Sequence, residues 1–278
     1  MPEHAFVTIE YAEDLAIKKQ KAEAARQREA VELYRGMQKK VSDELSSNNG
    51  FFFVAKSEQF SGVKAETITK LIMLSTYLKI DSNKFMYTQR RPVKRPEMMD
   101  ILKISPSTAT RFLRETSDYI TETEDGIIMN DASSIVRGGI KGKQHVKFYV
   151  DGVRRLYSFA DKKDHGRIGC LFKLLPFVNI EWNLLCYPEY TMERDIEKIE
   201  LLSLREFCQL IDFDIKHVST LLDSYRSIKF EVGDRMERFC SIASDGIDRS
   251  NAKIIINPHI LYNGSDYKKV ENLGALCR

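Results

Sequence analysis

The chain has 278 residues, 43% of them hydrophobic and 30% charged, enough for roughly two domains of ~100 to 150 residues, each with its own core. Its longest apolar stretch, Ile168 to Ile180, is broken by Lys173, Pro176 and Asn179, which excludes a span of ~20 apolar residues there, and MPEHAFVTIEYAEDL lacks the pattern of a secretory leader. The formal net charge of +3 hides an uneven distribution: Lys84 to Arg114 carries eight bases against two acids, Arg137 to Lys173 carries ten against three, and Glu115 to Val136 carries six acids and no base.

A folded cytoplasmic protein is the expectation. Five scattered cysteines, Cys170, Cys186, Cys208, Cys240 and Cys277, fit reduced, buried thiols better than a disulfide framework.

Residues 12–45 contain no proline and one glycine and are rich in Ala, Glu, Lys, Gln and Arg, which predicts a long helix. Only its second half has an apolar stripe at helical spacing: Val31, Tyr34, Met37 or Gln38, Val41 and Leu45. That stripe can dock on the body at its end or pair with a second copy to give a homodimer. SSNNG, Ser46 to Gly50, reads as a linker, so residues 1–49 form an N-terminal arm.

Residues 50–139 are predicted to run helix, helix, helix, hairpin. Glu66 to Leu78 and Val93 to Leu102 carry helical apolar spacing. In KISPSTATRFLRE, Ser105 is a good N-cap, Pro106 suits the first turn, and Ala109, Phe112 and Leu113 share one face, so Ser107, Thr108, Thr110, Arg111 and Arg114 point outward. Asp125-Gly126 between β-branched runs marks a hairpin over Ile120 to Asn130. This is the element order of a winged helix-turn-helix. Residues 140–165 are expected as a basic connecting segment. Within it GGIKGKQ lacks the spacing of a phosphate loop and reads as a basic hairpin.

The second half repeats the first. LIMLSTYLKIDSNKFMY, Leu71 to Tyr87, aligns without gaps with LFKLLPFVNIEWNLLCY, Leu171 to Tyr187, with identities at Leu71/Leu171, Leu74/Leu174, Ile80/Ile180, Asn83/Asn183 and Tyr87/Tyr187. After a nine-residue insertion in the acidic PEYTMERDIEKIE loop, Ala109, Phe112 and Leu113 match Val218, Leu221 and Leu222. Ser227 to Ile256 then reads as two or three strands with turns at Gly233-Asp234 and Asp245-Gly246, a second wing. The expected fold is mainly α with small β-hairpin wings: two tandem winged helix-turn-helix domains, the second over 166–278, behind a long N-terminal helix.

Catalytic patterns such as His-Glu-x-x-His, Cys-x-x-Cys and His-x-His do not occur, so a non-enzyme with no cofactor or metal is expected. Double-stranded DNA is the expected partner. Arg90, Arg91, Lys94, Arg95, Arg137, Lys141, Lys143 and Lys147 would meet phosphates, because a flexible cation near the backbone gains affinity by counterion release. Base edges would fall to Ser107, Thr108, Thr110 and Arg111, with Ser105 and Arg114 at either end of the same helix. The counterpart helix exposes Lys216, His217, Ser219 and Thr220 and is less basic. It either reads bases with weaker phosphate support or serves as a surface for dimerisation or a partner. A protein-interaction adaptor without DNA binding is the alternative reading, favoured by the acidic second half.

LSTYLKIDSNKFMYTQRRPVKRPEMMDILKISPSTATRFLRE and AKIIINPHILYNGSD, with Ile256, Asn257, Pro258 and Gly264 closing the wing, resemble the tandem winged-helix DNA-binding proteins of Gram-positive phages and plasmids, including replication-initiator-like proteins. The resemblance covers roughly residues 50–270. It implies a role in a bacterial host's cytoplasm as a transcriptional regulator or as an origin binder that recruits a replication or transcription protein.

Overall fold

The structure is a computed structural model that describes residues 3–46, 50–56, 60, 62–130, 134–139, 144–244, 252–264 and 266–278. Helix α1 (Glu3–Ser46) has 44 residues and extends about 66 Å at 1.5 Å per residue. It starts before the predicted residue 12 and touches the body near its end. Val41 and Leu45 are buried against Tyr149, Leu184, Ile255, Tyr262, Val270 and Leu273. Gln38 Nε2 donates to the Asn263 carbonyl at 3.4 Å, while Val31, Tyr34 and Met37 remain 41% to 48% exposed. Of the two expected uses of the stripe, docking at the tip is realised within the single chain.

Ahead of the first expected helix, where no element was assigned, the chain forms a strand, β1 (Phe51–Ala55). Helix α2 (Ala65–Ser75) follows and ends short of the predicted Leu78. The Ser75 and Thr76 hydroxyls donate back to the Leu71 and Met73 carbonyls, both at 2.8 Å, competing with helix continuation. Next come α3 (Arg95–Leu102), α4 (Pro106–Glu115), the hairpin strands β2 (Ile120–Thr123) and β3 (Gly126–Met129), and the short β4 (Ile135–Val136). Gly126, paired with Thr123 across the turn, adopts φ 140°, which an L side chain resists, and a Cβ there would stand 2.9 Å from the Val93 carbonyl oxygen.

The expected connector 140–165 instead holds strand and helix: β5 (His145–Tyr149) and α5 (Val150–Phe159). Lys141, Lys143 and most of the GGIKGKQ stretch lie outside the described residues. The remainder comprises α6 (His165–Lys173), β6 (Cys186–Tyr187), β7 (Glu200–Leu201), α7 (Leu204–Leu210), a 3-10 turn over Ile215–His217, α8 (Val218–Ser227), β8 (Lys229–Val232), β9 (Arg235–Arg238), β10 (Cys240–Ser244), β11 (Ala252–Ile256) and α9 (Tyr267–Leu276). The architecture is mixed α/β, with a long N-terminal helix and small antiparallel sheets.

Both halves repeat the same local geometry. The bridge Leu78↔Phe85 recurs as Val178↔Leu185, and Met86↔Pro92 recurs as Cys186↔Leu201. The acidic insertion therefore lies between β6 and β7. The residues that close α3 and α7, Lys103 and Asp212, both have positive φ, 51° and 54°. At the other end of these helices, the Lys94 and Ser203 amides donate to Glu97 at 3.0 Å and Glu206 at 2.8 Å.

The halves meet about a local two-fold axis. Strands β1 and β5 pair antiparallel, and β4 on β1 corresponds to residues 260–262 on β5 through Phe53↔Val136 and Phe148↔Leu261. Helices α2 and α6 obey the same symmetry. Thr69 Oγ1 donates to the His165 carbonyl at 2.7 Å, and its counterpart Gly169 lies against the carbonyl of Ala65, the counterpart of His165. Phe52 stacks on Phe148 at 5.5 Å, and Phe172 of α6 meets Phe148 edge-on at 5.3 Å, joining the helix layer to the sheet in one core.

One element breaks the symmetry. In the first half β3 lies beside the Asn83–Phe85 segment, with Met129 N donating to Asn83 O at 2.7 Å. The matching bond in the second half, Ile256 N to Asn183 O at 3.0 Å, comes from β11. Hairpin β10–β11 thus occupies the place of β2–β3. Hairpin β8–β9, which sequence spacing matches to β2–β3, is additional and leans on α5, where Arg155 Nη1 donates to Glu231 O at 3.4 Å. The Asp245-Gly246 turn lies outside the described residues.

Candidate nucleic-acid interface

The turn between α3 and α4 is built locally. Lys103 takes the left-handed conformation that stops α3, Ser105 Oγ accepts from Thr108 N at 3.4 Å, and Pro106 occupies the first turn of α4. Ala109 and Phe112 are buried and Leu113 is half-buried, as the spacing predicts. Ser107, Thr110, Arg111 and Arg114 are exposed, and Thr108 is half-buried. Thr110 is already engaged, since its Oγ1 donates to the Pro106 carbonyl and accepts from Arg95 Nη1, both at 3.2 Å. Ser107 Oγ lies 3.1 Å from Ser105 Oγ, within hydrogen-bond distance, which leaves Arg111 and Arg114 as the side chains of this face that project most freely.

The cations around α3 are partly neutralised by the chain itself. Arg95 Nε bonds Glu122 of β2 at 3.0 Å. That hydrogen bond, ahead of the opposing effect of burial, lowers the Glu122 pKa and raises that of Arg95. Arg91 pairs with Glu97 and lies 5.6 Å from the Tyr87 ring centroid, while Lys94 Nζ donates to the Glu124 carbonyl at 3.1 Å. Tyr87 OH in turn donates to Asp100 at 2.8 Å. Among the described residues Arg90, Lys103, Arg111 and Arg114 make no ion pair, so the unshared positive charge follows α4 and the loop before α3. Lys103 was not singled out by sequence. Its position as the left-handed residue closing α3 was the available signal, and it is the αL site that turns its side chain toward the start of α4.

Two expected phosphate contacts are corrected. Lys147 is 6% exposed. Strand alternation turns it onto the face of the sheet that carries Phe51, with Nζ 4.6 Å from that ring centroid, and burial pushes its pKa down to about 8. Arg137 is half-buried at the end of β4, where Nη1 donates to the Leu78 carbonyl at 2.8 Å, and burial, then the neighbouring Arg154, lower its pKa. Both side chains support the sheet and its flanking turn.

In the second half Asp214 caps the turn before α8 by accepting from Lys216 N at 2.9 Å, and Val218, Leu221, Leu222 and Tyr225 form the buried face. Lys216, His217, Ser219 and Thr220 are all exposed. Arg226 is held by Asp223 at 3.1 Å, and Ile215 is exposed beside Lys216. This surface is more neutral and more apolar than that of α4. No known protein family, curated protein or solved structure matches the chain.

Proposed function

We propose that the protein is a sequence-specific double-stranded DNA-binding protein in which the two repeats act as tandem winged helix-turn-helix units. The observation that carries this reading is α4: a helix with a sealed apolar back and an outward row of Ser107, Arg111 and Arg114, preceded by a turn bearing Lys103. An exposed arginine on such a helix can form a bidentate pair with guanine in the major groove. The local two-fold relating the repeats supports binding to two inverted half-sites of unequal strength. The half facing α4 contributes more charge, and the half facing α8 contributes Lys216, His217, Ser219 and Thr220. A role as a regulator or origin binder of a phage or plasmid rests on the resemblance of the α2–α4 and β11 sequences.

The adaptor reading has its own support in the exposed Ile215 on the weakly charged α8 and in the acids of the first hairpin, Glu122, Glu124 and Asp125. Binding to fragments of the source genome at several salt concentrations separates the two. Arg111→Ala is expected to cost about 1 to 3 kcal/mol on the preferred site and to relax selectivity at one or two base pairs. Arg90→Ala is expected to weaken all sequences alike and to reduce the salt slope by about one unit. If both folded variants bind DNA like the parent chain, this surface does not contact DNA.

A further inference from the structure

A cleft of about 420 Å³ opens where the start of α4 meets α2 and the corner between α5 and α6. Its polar wall carries four cations, Lys70, Lys103, Arg111 and Lys162, against two carboxylates, Glu66 and Asp161. Both acids are already paired, Glu66 with Lys70 and Asp161 with Lys163 at 3.3 Å. Among the described residues Lys103, Arg111 and Lys162 make no ion pair, so the cleft retains an unshared positive charge. The N-terminus of α4 adds the Ser105 and Thr108 hydroxyls, 3.0 Å apart, and the positive end of the helix dipole.

A second observation is independent of that helix end. His165 is 5% exposed, its ring lies tilted against Tyr157 at 4.4 Å, and it lines the same cleft, yet its Nε2 has no hydrogen-bond partner. Burial, then Lys70, lower its pKa. The ring is therefore neutral near pH 7, and its buried Nε2 is open to one hydrogen bond, as donor or acceptor according to the tautomer. A buried ring nitrogen without a partner is unfavourable, and a ligand hydroxyl, which both donates and accepts, relieves it.

We infer that this cleft binds a small organic phosphate, with the phosphoryl group held by Lys162, Lys103, Arg111 and the start of α4, and a hydroxyl of its body hydrogen-bonded to His165 Nε2. A phosphate of the DNA backbone offers the same anionic group but has no hydroxyl to bring to His165. Binding itself is independent of the proposed DNA contact. Its consequence, withdrawal of Arg111 from a base edge, rests on that reading.

The test is calorimetry on the full chain without DNA, using ribose 5-phosphate, inorganic phosphate and ribose as probes, alongside ring spectra of 13C-labelled histidine. Ribose 5-phosphate is expected to bind and to move the His165 ring signal. Lys162→Ala, a change at an exposed position, should weaken ribose 5-phosphate and inorganic phosphate alike by about tenfold. His165→Phe should weaken ribose 5-phosphate by about tenfold and leave inorganic phosphate unchanged. The inference is overturned if ribose 5-phosphate gives no heat and no shift at millimolar concentration, or binds parent and Lys162→Ala chains equally. It is also overturned if a short duplex moves the His165 signal when ribose 5-phosphate does not.

Discussion

Gly169 offers a direct test of how the two halves are held. It lies inside α6, where replacing glycine by alanine on a solvated helix gains about 0.8 to 1 kcal/mol. Here a Cβ would overlap the carbonyl oxygen of Ala65 and stand 2.9 Å from the Ala65 Cα, inside the 3.0 Å limit that real Cβ contacts respect. The obstacle is backbone of α2, which cannot rotate away, so α2 and α6 must separate. Overpacking of this kind costs about 1 to 3 kcal/mol, and a backbone obstacle places Gly169→Ala toward the upper part of that range after the helix gain is subtracted. Gly166, three residues earlier in the same helix, has nothing within 4 Å of its would-be Cβ. Gly166→Ala should therefore be neutral or stabilising by up to about 1 kcal/mol. Urea unfolding followed by circular dichroism gives both midpoints. A Gly169→Ala midpoint at or above the parent value would refute the close antiparallel packing of α2 on α6.

Three further perturbations address other parts of the molecule. Glu122→Gln removes the acid that holds Arg95 and should strengthen DNA binding on all sequences, raising the salt slope by up to about one unit in anisotropy titrations; unchanged binding would mean that Arg95 stays away from the duplex. Burial raises the pKa of Glu237, but hydrogen bonds from His259, Asn257 and Arg235 overcome it and bring the value down to about 2 from 4.5. A folded-state value below the unfolded one contributes stability above the unfolded pKa, here about 3 kcal/mol, that fades as pH falls from about 5 toward 2. Glu237→Gln should flatten that acid limb in thermal melts, and an unchanged limb would remove Glu237 as its source. Deleting residues 1–36 should leave the melting temperature unchanged because Val41 and Leu45 remain, whereas Leu45→Ala should cost about 2 to 5 kcal/mol. Sedimentation of the shortened and complete chains then reports any role of the arm in dimerisation.

Much of the local order was legible in the sequence because it depends on residues a few positions apart. The caps and outward face of α4, the hairpin at Asp125-Gly126, the repeat of Leu71 to Tyr87, the insertion before Glu200 and the docking of Val41 and Leu45 all follow from spacing and turn chemistry. Strand β1 was not legible, since Phe51-Phe52-Phe53-Val54-Ala55 is a continuous apolar run whose period does not separate buried strand from buried helix. Its partners β4 and β5 lie more than eighty positions away, and only the meeting of the two halves selects the register Phe53↔Lys147. That register also decides the fate of Lys147, which a linear count places among surface charges and the sheet turns against Phe51. The second hairpin makes the same distinction, because β8–β9 and β10–β11 are both plausible after α8 by local pattern. Only the backbone hydrogen bonds of Asn183 and Leu185, which need a strand to complete them, determine that β11 fills the place β3 has in the first half. Local torsions and caps are written in neighbouring residues, whereas the choice among equally good strands is made by the surfaces that finally meet.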